Sequence, residues 1–184
     1  MPELHQTHPI PSPCDTPRDG AVVRAAMPAD TEGVGRLLAR SYRALLAPDY
    51  APATLKDALP LIALANPRLL SCGTYYVLER DDRILAAGGW TDSSPHGTPG
   101  RRGVGHVRHV AVDPEVVRQG LGARLMACVL GSARSAGVVD LRCQSTLTAA
   151  PFYASLGFEA QGRIDVRLPT GVLFPAIQMR RFES

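Results

Sequence analysis

The apolar positions of this chain change period along its length, and the changes mark its elements. Ala21-Val22-Val23-Arg24-Ala25-Ala26 reads as a short strand. Met27-Pro28-Ala29-Asp30 reads as a helix entry with Asp30 as the candidate N-cap. Val34, Leu37, Leu38, Ser41, Tyr42 and Leu45 then recur at helical spacing until Pro48. A second helix over residues 53–65 carries Leu55, Leu59, Ile62 and Leu64, and Pro60 inside it predicts a kink or a split. Residues 74–79 and 84–90 read as strands joined by an Asp81-Asp82 turn. Residues 92–105 are dense in Gly, Pro and Ser and read as a loop. A strand over 106–112 leads to a helix in which Leu121, Leu125 and Val129 run beside Met126, Leu130 and Ala133, ending near Gly137. Residues 138–144 form the next strand, 149–156 a short helix, and 158–167 with 175–182 a closing antiparallel hairpin.

The order is β-α-α-β-β-β-α-β-α-β-β. It predicts an α/β chain of the mixed α+β kind, with one central sheet, mostly antiparallel, and a single parallel β-α-β crossover. Residues 1–20 hold Pro2, Pro9, Pro11, Pro13 and Pro17 and few large apolar side chains, which predicts a flexible tail. Residues 21–184 are expected to form a single domain, since 184 residues support one good core and not two.

Composition narrows the chemistry. A net charge of +3 with no long Lys/Arg run gives no reason to expect a nucleic-acid partner. Lys56 is the sole lysine, so a P-loop is ruled out and a Schiff base would have to use that residue. Cys14, Cys72, Cys128 and Cys143 lie far apart with no Cys-x-x-Cys, which argues against a zinc site and for a reduced, cytoplasmic setting. No apolar run approaches the roughly 20 residues of a membrane helix, and the N-terminus lacks the apolar core of a secretory signal.

The densest chemical signal is the strand-turn-helix from His106 to Met126. Gly120 and Gly122 open the helix, and a helix N-terminus offers unpaired N–H groups and partial positive charge to an anion. Read alone, the two glycines fit either a phosphate cradle, with Arg118 or Arg124 adding charge, or a tight turn that needs glycine only for its geometry. A dinucleotide fingerprint does not fit. Its third glycine would be Leu125, and seven residues, Asp113 to Gln119, separate the glycines from the strand.

Pro151-Phe152-Tyr153-Ala154-Ser155-Leu156-Gly157-Phe158 follows the next strand. Together with Val110-Ala111-Val112-Asp113-Pro114 and Gln119-Gly120-Leu121-Gly122-Ala123, it resembles the GNAT (GCN5-related) superfamily of acyl-CoA-dependent N-acyltransferases. The motifs span about residues 110–158, and the element order agrees over about 24–181. One position departs: Val117 stands where the family prefers Arg or Gln, with Arg118 and Gln119 beside it. The resemblance implies two parallel strands that splay apart, helices on both faces of the sheet, and acetyl-CoA as cosubstrate. It implies that Val110, Ala111 and Val112 offer backbone groups to the pantetheine arm and thioester carbonyl, and that Arg118, Gln119, Gly120, Gly122, Ala123 and Arg124 surround the pyrophosphate.

Tyr153 takes the family position of the general acid; the other reading is an amphipathic core residue. A base must also be found, because an alkyl ammonium with a pKa near ~10.4 cannot attack. His106 stands where relatives carry a glutamate, with a water chain as the alternative and Glu79 and Asp92 as weaker candidates. Strand alternation puts His106, Arg108 and Val110 on one face, and Val107, His109 and Ala111 on the other. Tyr42, Trp90 and Arg108, with Tyr50 and Tyr75 behind them, are candidates to line the acceptor site. The expected function is acetyl transfer to a primary amine of a small molecule or peptide. A non-catalytic acyl-CoA-binding module of the same fold is the rival. No metal is expected, and the resemblance admits a homodimer through the sheet edge or the C-terminal hairpin.

Overall fold

The computed structural model describes residues 20–95 and 97–183, so the expected tail lies outside the described residues apart from Gly20. The strands are β1 (Val22–Ala25), β2 (Tyr75–Arg80), β3 (Arg83–Thr91), β4 (Val104–Val112), β5 (Asp140–Thr146), β6 (Glu159–Arg167) and β7 (Leu173–Phe182). They form one seven-stranded sheet in the order β1-β2-β3-β4-β5-β7-β6. Every neighbouring pair is antiparallel except β4 and β5. The helices are α1 (Thr31–Leu45), α2 (Pro52–Ile62), α3 (Pro67–Leu70), α4 (Leu121–Ser135) and α5 (Ala150–Ser155).

Helical periodicity decides which faces are buried. Val34, Leu37, Leu38 and Ser41 of α1 are buried, and the three apolar ones pack with Leu69, Leu70, Tyr75, Val77, Ala87 and Ala111 on one side of the sheet. Leu125, Met126 and Val129 of α4 pack with Leu78, Ala86, Trp90 and Val107 on the other side. Helices therefore cover both faces. The β2–β3 hairpin turns through Asp81 and Asp82 at φ 51° and 57°, the two left-handed residues of a turn whose twist matches its strands.

Three local expectations change. Asp30 stands at the start of α1, but its carboxylate does not cap that helix. It accepts from the Met27 N–H (2.8 Å) and pairs with Arg24 (2.8 Å), so it tightens the preceding turn instead. Pro60 does not split the second helix. It sits in the last turn of α2, where the missing N–H leaves little ladder to break, and the chain restarts as α3, capped by the Asn66 side chain on the Arg68 N–H (3.0 Å). Simple alternation also fails along β4. Ala87 pairs with Ala111 but Gly89 pairs with Arg108, so two residues, His109 and Val110, face Gly88 alone. This is a β-bulge, with His109 left-handed at φ 44°. A Cβ on Gly88 would lie 2.7 Å from Val110 Cγ2, so glycine there lets the bulge form. Past the bulge the faces invert: Val107 packs on the α4 side and Ala111 on the α1 side.

β4 and β5 pair only from Val104–His106 to Asp140–Arg142. Both strands continue, to Val112 and Thr146, without pairing to each other. The splay opens at His106 and Arg142, and the site is built in it.

Candidate active site

A cavity of about 680 Å³ fills the gap between β4 and β5. Val110, Ala111 and Val112 form one wall; Cys143, Gln144, Ser145 and Thr146 form the other. The glycine turn closes one end with Val117, Arg118, Gly120, Gly122 and Ala123, and Tyr42 of α1 and Tyr153 of α5 also face the cavity.

The turn is shaped by backbone demands. Arg118 is left-handed at φ 65° and Gly120 at φ 80°, immediately before α4. A residue with a Cβ is strained at such angles, which accounts for Gly120. Gly122 answers a different demand. A Cβ there would lie 3.1 Å from Val112 Cγ2 and 3.4 Å from Phe152 Cζ, crowding the cradle. The first-turn N–H groups of α4 have no partner within the helix and open toward this end.

A buried carboxylate braces the approach to the turn. Asp113 accepts from the Glu115 N–H (3.0 Å), from Arg83 (2.7 Å) and from Arg40 of α1 (3.4 Å). Burial opposes its charge, but the Glu115 amide and Arg83 outweigh burial and hold its carboxyl below the usual range. Asp113 thereby ties the end of β4 to β3 and α1.

Tyr153 is buried, edge-on to Phe152 and Phe158 at 5.5 and 5.4 Å between ring centroids. Burial first, then the neighbouring Cys143, pushes its phenol well above the ordinary tyrosine value. Cys143 is itself pushed up to about 12 by burial. At neutral pH both stay protonated, so Tyr153 can give a proton and Cys143 is a poor nucleophile.

The other sequence candidates divide. Val110, Ala111, Val112, Arg118, Gly120, Gly122, Ala123, Tyr42 and Tyr153 all meet in the cavity. Gln119 and Arg124 do not line it, and Arg124 donates to the Ala21 carbonyl at the start of β1. Trp90 is buried in the α4 core and donates Nε1–H to Ser132 Oγ (3.1 Å), away from the cavity. Arg108 donates to Thr91 Oγ1 (3.1 Å) on the sheet. Tyr50 is a strut: it donates to the Pro175 carbonyl, accepts from the Leu147 N–H, both at 2.8 Å, and stacks on Phe174. Tyr75 donates to the His109 carbonyl (2.9 Å) and so holds the bulge. His106 lines a neighbouring depression rather than this cavity. His109 lines the cavity in its place, because the bulge turns it there. Burial, then Arg108, pushes its imidazole down to about 4. No carboxylate lines the cavity among the described residues.

Sequence reasoning also missed Thr148. Its hydroxyl is buried in the cavity wall with no hydrogen-bond partner among the described residues. An unsatisfied buried hydroxyl costs about 1–3 kcal/mol, so it marks a place for a polar ligand atom. Its only sequence signal is a polar residue just before the short Phe-Tyr helix.

This arrangement has known counterparts. Residues 71–160 match the family model described as an acetyltransferase (GNAT) domain. The match places this stretch, just under half of the chain, in the GNAT superfamily. Among curated proteins, a glucosamine 6-phosphate N-acetyltransferase from Trypanosoma brucei brucei is 39% identical over 69 residues, which covers 38% of this chain and 47% of that protein. The chain thus matches about half the length of that relative. Among solved structures, a GCN5-related N-acetyltransferase from Rhodopseudomonas palustris superposes with a TM-score of 0.69 at 18% identity, covering 88% of this chain and 95% of the other. The PaiA N-acetyltransferase from Thermoplasma acidophilum, solved with coenzyme A, gives 0.66 at 13% identity over 89% and 99%. These likenesses share the GNAT fold, with its mixed sheet and flanking helices.

Proposed function

We propose that this chain is an N-acyltransferase that moves an acetyl group from acetyl-CoA to the primary amine of a small molecule or peptide, with both substrates bound together. One observation carries the reading: the glycine turn, the splayed strands and the Tyr153 phenol line a single cavity of about 680 Å³. A glycine turn that served only chain reversal would not need to share a cavity with an ionisable phenol and an unsatisfied hydroxyl.

The residues fit an acyl-CoA. Gly122 leaves a space that a Cβ would fill, next to the first-turn N–H groups suited to a pyrophosphate. Thr148 offers an unused hydroxyl along the arm, and the unpaired inner edges of β4 and β5 offer backbone amides and carbonyls. When bound, acetyl-CoA supplies an acyl thioester open to attack by an amine. The chain's part is to hold the carbonyl at the β4 bulge, where N–H groups released from pairing can polarise it. Tyr153 supplies the proton that the departing sulfur needs. Cys143, held protonated, is unsuited to carrying the acyl group, which favours direct attack over a covalent enzyme intermediate.

No helix among the described residues is long and apolar enough to cross a membrane. We infer a reducing, cytoplasmic setting from the free thiols of Cys72 and Cys143.

The test is thiol release from acetyl-CoA over a panel of amines, amino-acid termini and aminoglycosides. Amine-dependent release supports transfer. Tight acetyl-CoA binding with no release for any amine supports the non-catalytic module instead.

A further inference from the structure

Beside the main cavity, at the apex of the splay, lies a second depression of about 350 Å³. The two share Val107, Cys143 and Gln144 as a common wall. The floor of the depression is a cross-strand ladder. His106 pairs with Arg142, Arg142 with Arg180, and Gln144 with Gln178, so partners on three adjacent strands present their side chains on one face. Leu141, Cys143 and Met179, between them, point to the opposite face and into the α4 core.

The ladder is rigid and carries surplus positive charge. Asp140, which is buried, receives Nε and Nη2 of both Arg142 and Arg180 at 2.6–3.1 Å. Arg180 also lies over the Phe182 ring, 4.1 Å from its centroid. Two guanidinium groups share one carboxylate, so one positive charge is unmatched within the trio, and neither Nη1 has a partner among the described residues. His106 registers this environment. Burial, then Arg142 and Arg108, lowers its pKa, against the opposing pull of Asp140 and Asp92.

We propose that this ladder is the acceptor subsite, and that it selects an amine that also bears an anionic group, a carboxylate or a phosphate. The proposal rests on the acyltransferase reading and adds the acceptor's chemical class. The anionic group sits against the outer guanidinium atoms of Arg142 and Arg180, which are held in place before it arrives and suit planar or tetrahedral oxyanions. The amine then lies toward Val107 and Cys143, where the two spaces meet. Its ammonium gives a proton to His106, which is neutral near pH 7, and the proton passes on to solvent. The nitrogen forms a bond to the acyl carbon as the carbon–sulfur bond breaks; the sulfur takes the proton of Tyr153, and the second proton that leaves the nitrogen returns through solvent to the Tyr153 oxygen, so the amide, the free thiol and the phenol are the products.

Two matched pairs of acceptors test the subsite: O-phosphoethanolamine against ethanolamine, and β-alanine against β-alaninamide. Wild type should favour an anionic member by about tenfold or more in kcat/KM, mainly through KM. The preferred pair shows whether phosphate or carboxylate is the better fit. In Arg142→Gln, and separately in Arg180→Gln, that ratio should fall toward one, since each variant leaves Asp140 the other arginine and so keeps the buried charge compensated. Equal kcat/KM within both pairs in wild type, or a ratio that neither variant alters, would overturn the proposal. Calorimetric titration of O-phosphoethanolamine and β-alanine into the CoA-saturated protein reads the site without turnover. Binding that Arg142→Gln abolishes, in a protein that acetylates nothing, would keep the subsite and sink the transferase reading.

Discussion

Burial keeps the Tyr153 phenol protonated through the neutral range, which is the state a proton donor needs. Tyr153→Phe keeps the ring that packs on Phe152 and Phe158 and removes only the hydroxyl. We expect turnover to fall about a hundredfold or more, with acetyl-CoA affinity within about twofold of wild type, measured by steady-state kinetics and calorimetry. Unchanged turnover would remove Tyr153 from the acid role. Gly122→Glu places both bulk and negative charge in the cradle. Acetyl-CoA binding should fall below detection in a variant that still folds, and measurable affinity would count against the turn as the phosphate site. His109 gives a pH signature. Its folded pKa, about 4, lies below the unfolded value of ~6.5, so the unfolded chain takes up the proton first as pH falls. Stability is whole above pH ~6.5 and declines toward pH ~4, by up to about 3 kcal/mol from this residue. Asparagine tolerates left-handed φ and does not titrate, so His109→Asn should flatten the fall in urea midpoint between pH 7 and 4.5. An identical pH slope in the variant would assign the effect elsewhere.

At the scale of elements, the braces around the site matter as much as its lining. Asp113→Ala removes the acceptor shared by Arg83, Arg40 and the Glu115 N–H, which should cost about 2 kcal/mol in chemical denaturation. It should also weaken acetyl-CoA binding, because the segment it braces leads into the glycine turn; lost stability with unchanged affinity would confine Asp113 to folding. Much of this level was legible in the sequence. The α1 stripe of Val34, Leu37 and Leu38, the Asp-Asp hairpin and the glycine-led α4 follow from local periodicity and turn chemistry, which act over a few residues. The β4 bulge was not legible, because its cause lies on another strand: Gly88 leaves room for Val110, and Tyr75 holds the His109 carbonyl. That one extra residue moved His109 into the cavity and reversed the faces expected for Val110 and Ala111. That Trp90 and Arg124 do not line the cavity has a related cause: Ser132, remote in sequence, takes the Trp90 Nε1–H, and the Ala21 carbonyl takes an Nη2 donor of Arg124.

The whole molecule works through one interrupted sheet. Three paired positions hold β4 to β5, and beyond them the strands part into a cleft flanked by the N-terminus of α4 and by α5, which meet at Gly122 and Phe152. Beside that cleft, sharing Val107, Cys143 and Gln144 with it, lies the depression over the ladder of His106, Arg142 and Arg180. In the proposed reaction acetyl-CoA occupies the cleft and the amine the depression, so that they meet at this shared wall, as direct transfer requires. Incubation with acetyl-CoA isotopically labelled in its acetyl group, with the amine panel, followed by mass spectrometry of all products, tests this most directly. The label should appear in an amide of at least one amine, in step with free CoA and with none retained on the protein. Label held on Cys143, or CoA released with only labelled acetate formed, would contradict it.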